Sequence, residues 1–180
     1  MEKRLLLKEY GVQLWTRELA KEVRSQLVVL LDQLEPGDTA VIDAAGVQVF
    51  DYSFANELFG KTLLSLPYEY PGRFLIVENL SPYVRLNLTK ALESLGLAII
   101  ERTGGELKLL GKVHPADEAT FAEVAKSREP LTAAVLRDRL GANLNAINER
   151  LTKLTNLALV RRERGVSPAG RELYLYRVLA

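Results

Sequence analysis

Leu131-Thr-Ala-Ala-Val-Leu-Arg-Asp-Arg-Leu140, Gly141-Ala-Asn143 and Leu144-Asn-Ala-Ile-Asn-Glu-Arg-Leu-Thr-Lys-Leu154 follow one another without a break. The last segment decides the reading, because Leu144, Ile147, Leu151 and Leu154 recur at helical spacing and make one apolar stripe. Asn145, Asn148, Glu149, Thr152 and Lys153 fall outside it. Upstream, Thr132 is placed to cap a helix whose buried side is Ala134, Val135, Leu136 and Leu140. Gly141 can end that helix in a left-handed conformation, and Asn143 can cap the next. The pattern is two helices joined by a tight turn. Residues 117–127 form a further helix before them, closed ahead of Pro130. After them, residues 160–164 and 173–178 pair as an antiparallel ribbon whose tip is kept irregular by Gly165, Pro168 and Gly170. Arg161, Arg162, Arg164 and Arg171 cluster on that ribbon.

This order of elements resembles a winged helix-turn-helix, in which the second helix of the pair commonly enters the major groove and the wing touches the backbone. The resemblance implies a unit over residues 116–180 with double-stranded DNA as partner. Asn143, Asn145, Asn148, Glu149, Arg150 and Lys153 would then face the groove, and Arg161, Arg162, Arg164 and Arg171 would hold phosphates. Asparagine can pair bidentately with adenine, so this helix leans towards A·T-containing sites. Taken singly, each arginine also reads as an ordinary solvated strand residue.

Composition narrows the chemistry. At 180 residues with 48% hydrophobic content, the chain can bury a core as one large domain or two small ones. There is no cysteine, which removes disulfides, zinc ribbons and thiol nucleophiles. The single histidine, His114, sits beside Pro115 at a domain junction and leaves neither a Ser-His-Asp triad nor a His-rich metal site. No enzyme activity, cofactor or metal is expected. Leu5-Leu-Leu7 is too short for a signal peptide's apolar core, so a cytoplasmic protein without a membrane partner is expected. Residues 1–115 hold 13 Lys and Arg against 15 Asp and Glu, while residues 116–180 hold 11 against 8. The positive excess lies in the C-terminal part.

Residues 1–113 alternate strand-like and helix-like segments, which argues for an α/β or α+β layer with a mixed sheet. Strands are expected at 4–9, 39–43, 73–77, 98–102 and 107–110, the last two joined by Gly104-Gly105, a hairpin signal. Helices are expected over 15–34, ended by Pro36-Gly37, and over 54–66 and 82–95. Gly60-Lys61-Thr62 lacks the earlier glycine of a P-loop, since Ala55 stands there, and it continues the helical spacing of Phe54, Leu58 and Leu63. Tyr68, Tyr70, Pro71 and Tyr83 read either as an exposed aromatic patch for a partner or as lids on the end of a sheet.

One dense motif lies in this half: Ala40-Val-Ile-Asp-Ala-Ala-Gly-Val-Gln-Val-Phe-Asp51-Tyr-Ser53-Phe-Ala-Asn-Glu57-Leu. It is similar to the strand, turn and helix start of STAS domains, the fold of anti-sigma factor antagonists, and closer still to a STAS-like family of unassigned function. The resemblance spans roughly residues 10–112. In the antagonists the loop reads Asp-Ser-Ser-Gly and its first serine is phosphorylated. Here Asp51 keeps the acidic position, Tyr52 replaces the first serine and Ser53 holds the second. Asp51 and Ser53 both read as helix caps. A phosphate on Ser53 would be favoured by the helix N-terminus, so a switch driven by a partner kinase is the other reading.

The two resemblances together imply a DNA-binding transcriptional regulator with a sensing or interaction domain. The alternative is a signalling adaptor of the antagonist kind, in which both parts bind proteins, an anti-sigma-like factor among them. Either leaves room for a homodimer.

Overall fold

The computed structural model describes residues 1–178 as a mixed α/β fold. Its main sheet has the order β1 (Glu2–Leu6), β3 (Thr39–Asp43), β5 (Phe74–Glu78), β6 (Ala98–Thr103) and β7 (Glu106–Gly111). The first four run parallel and β7 returns antiparallel. Strands β3 and β5 are near-continuous apolar runs, Thr-Ala-Val-Ile-Asp and Phe-Leu-Ile-Val-Glu, as expected of parallel strands covered on both faces. Gly104 and Gly105 make the β6–β7 turn with φ of 58° and 85°. A short parallel pair, β2 (Gln13–Leu14) with β4 (Val49–Phe50), lies apart from the main sheet.

Helix α1 (Arg17–Asp32), the helical run from Tyr52 to Glu69, and α4 (Pro82–Leu95) connect successive strands. Their apolar sides, including Val23, Leu27, Phe54, Phe59, Val84 and Leu88, share a core with Ala40, Ile42, Leu75, Val77 and Ile99 on one sheet face. Alternation sends Val41, Phe74, Ile76, Ile100 and Leu109 to the opposite face. There α5 (Pro115–Lys126), α6 (Ala133–Leu140) and α7 (Leu144–Asn156) close over them through Phe121, Val124, Leu136, Ile147, Leu151 and Leu154. The ribbon of β8 (Arg161–Val166) and β9 (Glu172–Arg177) adds Tyr176 to that cluster. The boundary expected near residues 113–116 falls between β7 and α5, yet both sides share this second core.

Several local expectations shift. Trp15 precedes α1 and is 48% exposed, because Thr16 caps the helix by accepting from the Leu19 N–H. Strand β1 ends at Leu6, and a 3₁₀ turn follows at Leu7–Tyr10. The helix expected over 54–66 is longer and contains a π turn at Asn56–Gly60 between α2 (Tyr52–Ala55) and α3 (Lys61–Glu69). Gly60 therefore lies inside a helix, not on a phosphate loop. A Cβ there would come within 2.6 Å of Leu95 Cδ1, so glycine lets α4 approach. The tyrosines do not form one patch. Tyr70 is buried with its hydroxyl donating to Asp32, while Tyr68 and Tyr83 are exposed at opposite ends of β5. Among the described residues no helix is long and apolar enough to cross a membrane.

Candidate functional site

The helical pair forms through its caps. The Thr132 hydroxyl accepts from the Val135 N–H, Gly141 takes a left-handed φ of 61°, and the Asn143 side chain accepts from the Ala146 N–H at 2.8 Å. Asn143 is thus committed to starting α7. In α6 only Leu136 is buried; Ala134 and Val135 are exposed and Leu140 is partly so, because a helix of 8 residues meets the core along one narrow line.

Helix α7 buries Ile147, Leu151 and Leu154, whereas Leu144, in its first turn, projects past the core at 39% exposed. Asn145, Asn148, Glu149 and Thr152 are exposed on the opposite side. Of the two basic residues expected there, Lys153 is exposed beside Glu149 and Thr152, and Arg150 is not. Arg150 adjoins Leu151 on the flank of the buried stripe and is partly buried. Lys153 turns towards α5 and pairs with Asp117, which is buried and needs a counter-charge. The outward face of α7 carries Asn145, Asn148 and Glu149 in its N-terminal half, and its one exposed cation, Lys153, is paired with Asp117. Asn148, Glu149, Thr152, Lys153 and Asn156 line one groove with Gly96 at the end of α4.

The ribbon splits its arginines. Pairing of Arg162 with Tyr176 and Arg164 with Tyr174 puts these on one face, and pairing of Arg161 with Arg177 puts those on the other. Arg162 and Arg164 are exposed, and the Arg162 guanidinium lies 4.6 Å from the Tyr174 ring centroid. Arg161 instead faces Glu163 and the Gly37 turn of the N-terminal layer. Arg171 sits exposed at the tip, where its N–H donates to the Ser167 hydroxyl. Alternation with period two was the available signal for this division.

In the N-terminal motif, Asp51 is the cap of α2, accepting from the Phe54 N–H at 2.7 Å. Ser53 is not a cap. It lies one residue inside the first turn and is partly buried. Tyr52 is half-exposed and its hydroxyl shares a hydrogen bond with Ser94 on α4 at 2.8 Å.

Glu57, which the sequence reading leaves in the motif without a role, is the most constrained charge nearby. It is fully buried within the π turn, 2.7 Å from Lys61, 3.2 Å from Arg24 and 4.0 Å from Arg17. Burial pushes its carboxyl upward, but Lys61, Arg24 and Lys21 together hold it below the ordinary glutamate value. The i,i+4 spacing of Glu57 and Lys61 was the one legible hint.

A second charged strip lies where the sheet's second face runs beyond the cover of α5–α7. Glu78 meets Arg4 at 2.6 Å and also Arg102, which reaches Glu2 at 2.9 Å. Burial raises the Glu78 carboxyl, while Arg4 and Arg102 bring it below its usual range. Arg4 also reaches Asp43 at 3.4 Å, so both guanidiniums of the strip are engaged by carboxylates.

His114 caps α5 through Nδ1, which accepts from the Ala116 N–H. Among the described residues no group of three or more His, Asp or Glu has the arrangement to hold a metal ion.

No protein-family model matches this chain, and no curated protein matches it. The functional reading rests on the geometry.

Proposed function

We propose that the chain is a DNA-binding transcriptional regulator: a STAS-like layer, residues 1–113, receives a protein or ligand signal, and a winged helix-turn-helix, residues 116–180, contacts DNA. The observation that carries this reading is the capped α6–α7 pair followed by a ribbon with Arg162 and Arg164 on one exposed face. Asn145 and Asn148, in the exposed N-terminal half of α7, are the base-reading candidates, with Glu149 beside them as an acceptor for the cytosine amino group. Arg162, Arg164 and the tip residue Arg171 are the phosphate contacts.

Titration with random-sequence duplex pools at several salt concentrations tests it. If four to six phosphates are neutralised, log K falls against log salt with a slope of about −4 to −5. Neutralising Arg162, Arg164 and Arg171 together weakens binding to every sequence, whereas Asn148→Ala changes which sequences bind. Absence of binding to any duplex at low salt refutes the reading.

A second reading has its own support. Lys153 pairs with Asp117, Arg150 is partly buried on the flank and Glu149 faces outward, so the exposed face of α7 offers phosphate no unpaired cation. This favours a protein-binding adaptor, in which the α7 face and the Tyr52–Ser53 segment meet partner proteins. In that case a partner kinase acts on Ser53, and mass spectrometry of protein from its host finds phosphate there. Ser53 bare in every preparation, with other serines modified, removes the switch.

A further inference from the structure

A cleft of about 430 Å³ opens between the Pro36-Gly37 and Pro71-Gly72 turns of the N-terminal layer and the start of β8. Its wall carries Arg73 from one unit and Arg161 and Arg162 from the other, and no Asp or Glu. Both of the first two guanidiniums are positioned by one edge. Arg73 donates through Nε to the Leu34 carbonyl at 2.7 Å and lies over the Tyr70 ring. Arg161 holds Glu163 through Nε at 3.3 Å, and its Nη1 lies against Gly37, at φ 102°, where any Cβ would collide with it. Among the described residues the Nη atoms of Arg73 and Arg161 make no hydrogen bond. Two positioned guanidiniums with unused Nη edges are a recognition device for a tetrahedral or planar oxyanion. Thr155, on the same wall, has an Oγ1 that is buried without a hydrogen-bond partner. Pro36, Pro67 and Phe74 add an apolar surface. The size and mixed lining match a small-molecule site more closely than a flat contact with a polymer.

We propose that this cleft binds a small organic phosphate, its phosphate on Arg73 and Arg161 and its organic body on the prolines and Phe74. Because the arginines come from the two halves of the chain, the bound molecule bridges them. It stabilises their mutual arrangement by mass action. The ribbon's proposed DNA contacts share only Arg162 with the cleft wall; Arg164 and Arg171 lie outside it, and the phosphate site rests on Arg73 and Arg161.

The probe is phenyl phosphate, titrated calorimetrically into the full chain, with phenol and inorganic phosphate as separate arms. Phenyl phosphate binds at one site per chain, more tightly than inorganic phosphate, and phenol does not bind. Arg161→Lys keeps the charge but loses the planar fork, and weakens binding about tenfold. Arg73→Gln weakens it at least as much, and Arg128→Gln, on an exposed segment away from the cleft, leaves it unchanged. Phosphorus NMR of the probe with the parent chain supplies a readout that needs no variant: its line broadens on addition of the protein and recovers when excess pyrophosphate competes. No broadening at millimolar probe, equal weakening by Arg128→Gln, or parent-like binding by Arg161→Lys overturns the proposal. So does displacement of the probe by duplex DNA, which would assign these arginines to the nucleic-acid backbone.

Discussion

Phe121→Ala tests whether the helical unit and the sheet fold as one. Phe121 is 1% exposed and belongs to the cluster that joins Ile76, Ile100 and Leu109 of the sheet to Ile147 and Leu151 of α7. Truncating a fully buried phenylalanine costs about 3–5 kcal/mol, since the neighbours close only part of the cavity. With a urea slope of about 2 kcal/mol/M, suitable for a chain of this size, the midpoint falls by about 1.5–2.5 M. The chain has one tryptophan, Trp15, which lies in the N-terminal layer far along the sequence from the substitution. Its fluorescence follows the layer, and far-UV circular dichroism follows all helices. If the second core is shared, the parent shows coincident transitions by both probes, and Phe121→Ala moves both by the same amount. Two separately folding pieces, the other possibility for a chain of this length, would behave otherwise. A Trp15 transition that stays at the parent midpoint while circular dichroism splits into two phases refutes a shared cooperative core and restores that picture.

Glu57→Gln is expected to lower stability near neutral pH by about 1–2 kcal/mol, because Lys61 and Arg24 lose their counter-charge but retain access to water. The pH dependence follows from the lowered carboxyl. A group that binds its proton more weakly in the folded chain than in the unfolded one contributes stability above the ordinary glutamate range, about pH 4.3. That contribution is lost as pH falls through the folded value, so the variant's stability declines less steeply on acidification, as urea melts between about pH 7 and about pH 3 would record. Gly111→Ala is expected to be severe, with a loss of more than about 2 kcal/mol and poor soluble yield. Its φ is 111°, and the added Cβ would stand 2.9 Å from Leu92 Cβ and 3.1 Å from the Ala98 Cα. Gly141→Ala, at φ 61° with nothing within 4 Å, meets only the backbone penalty of about 1–2 kcal/mol. Thermal melts of the pair separate collision from conformational strain, and equal losses would show that the close approach at Gly111 contributes nothing.

Local chemistry determined much of this molecule. Apolar runs at β3 and β5, the Gly104-Gly105 turn, and the caps Thr132, Asn143 and Asp51 each specify an element from a few neighbouring residues, so all were legible in sequence. So was the order of helix, turn, helix and ribbon from α6 to β9. Which faces meet was not legible, because hydrophobicity shows that a face is buried and not what buries it. Val41, Phe74 and Ile76 required a cover, and only the tertiary structure made that cover the C-terminal helices. The same limit applies to the charges. Lys153, Arg161 and Glu57 find partners 36 residues, two residues and up to 40 residues away respectively, in pairings of Lys153 with Asp117, Arg161 with Glu163, and Glu57 with Arg17. Electrostatic partnership depends on distance through space, and for the longer of these the chain's own order carries no record of it.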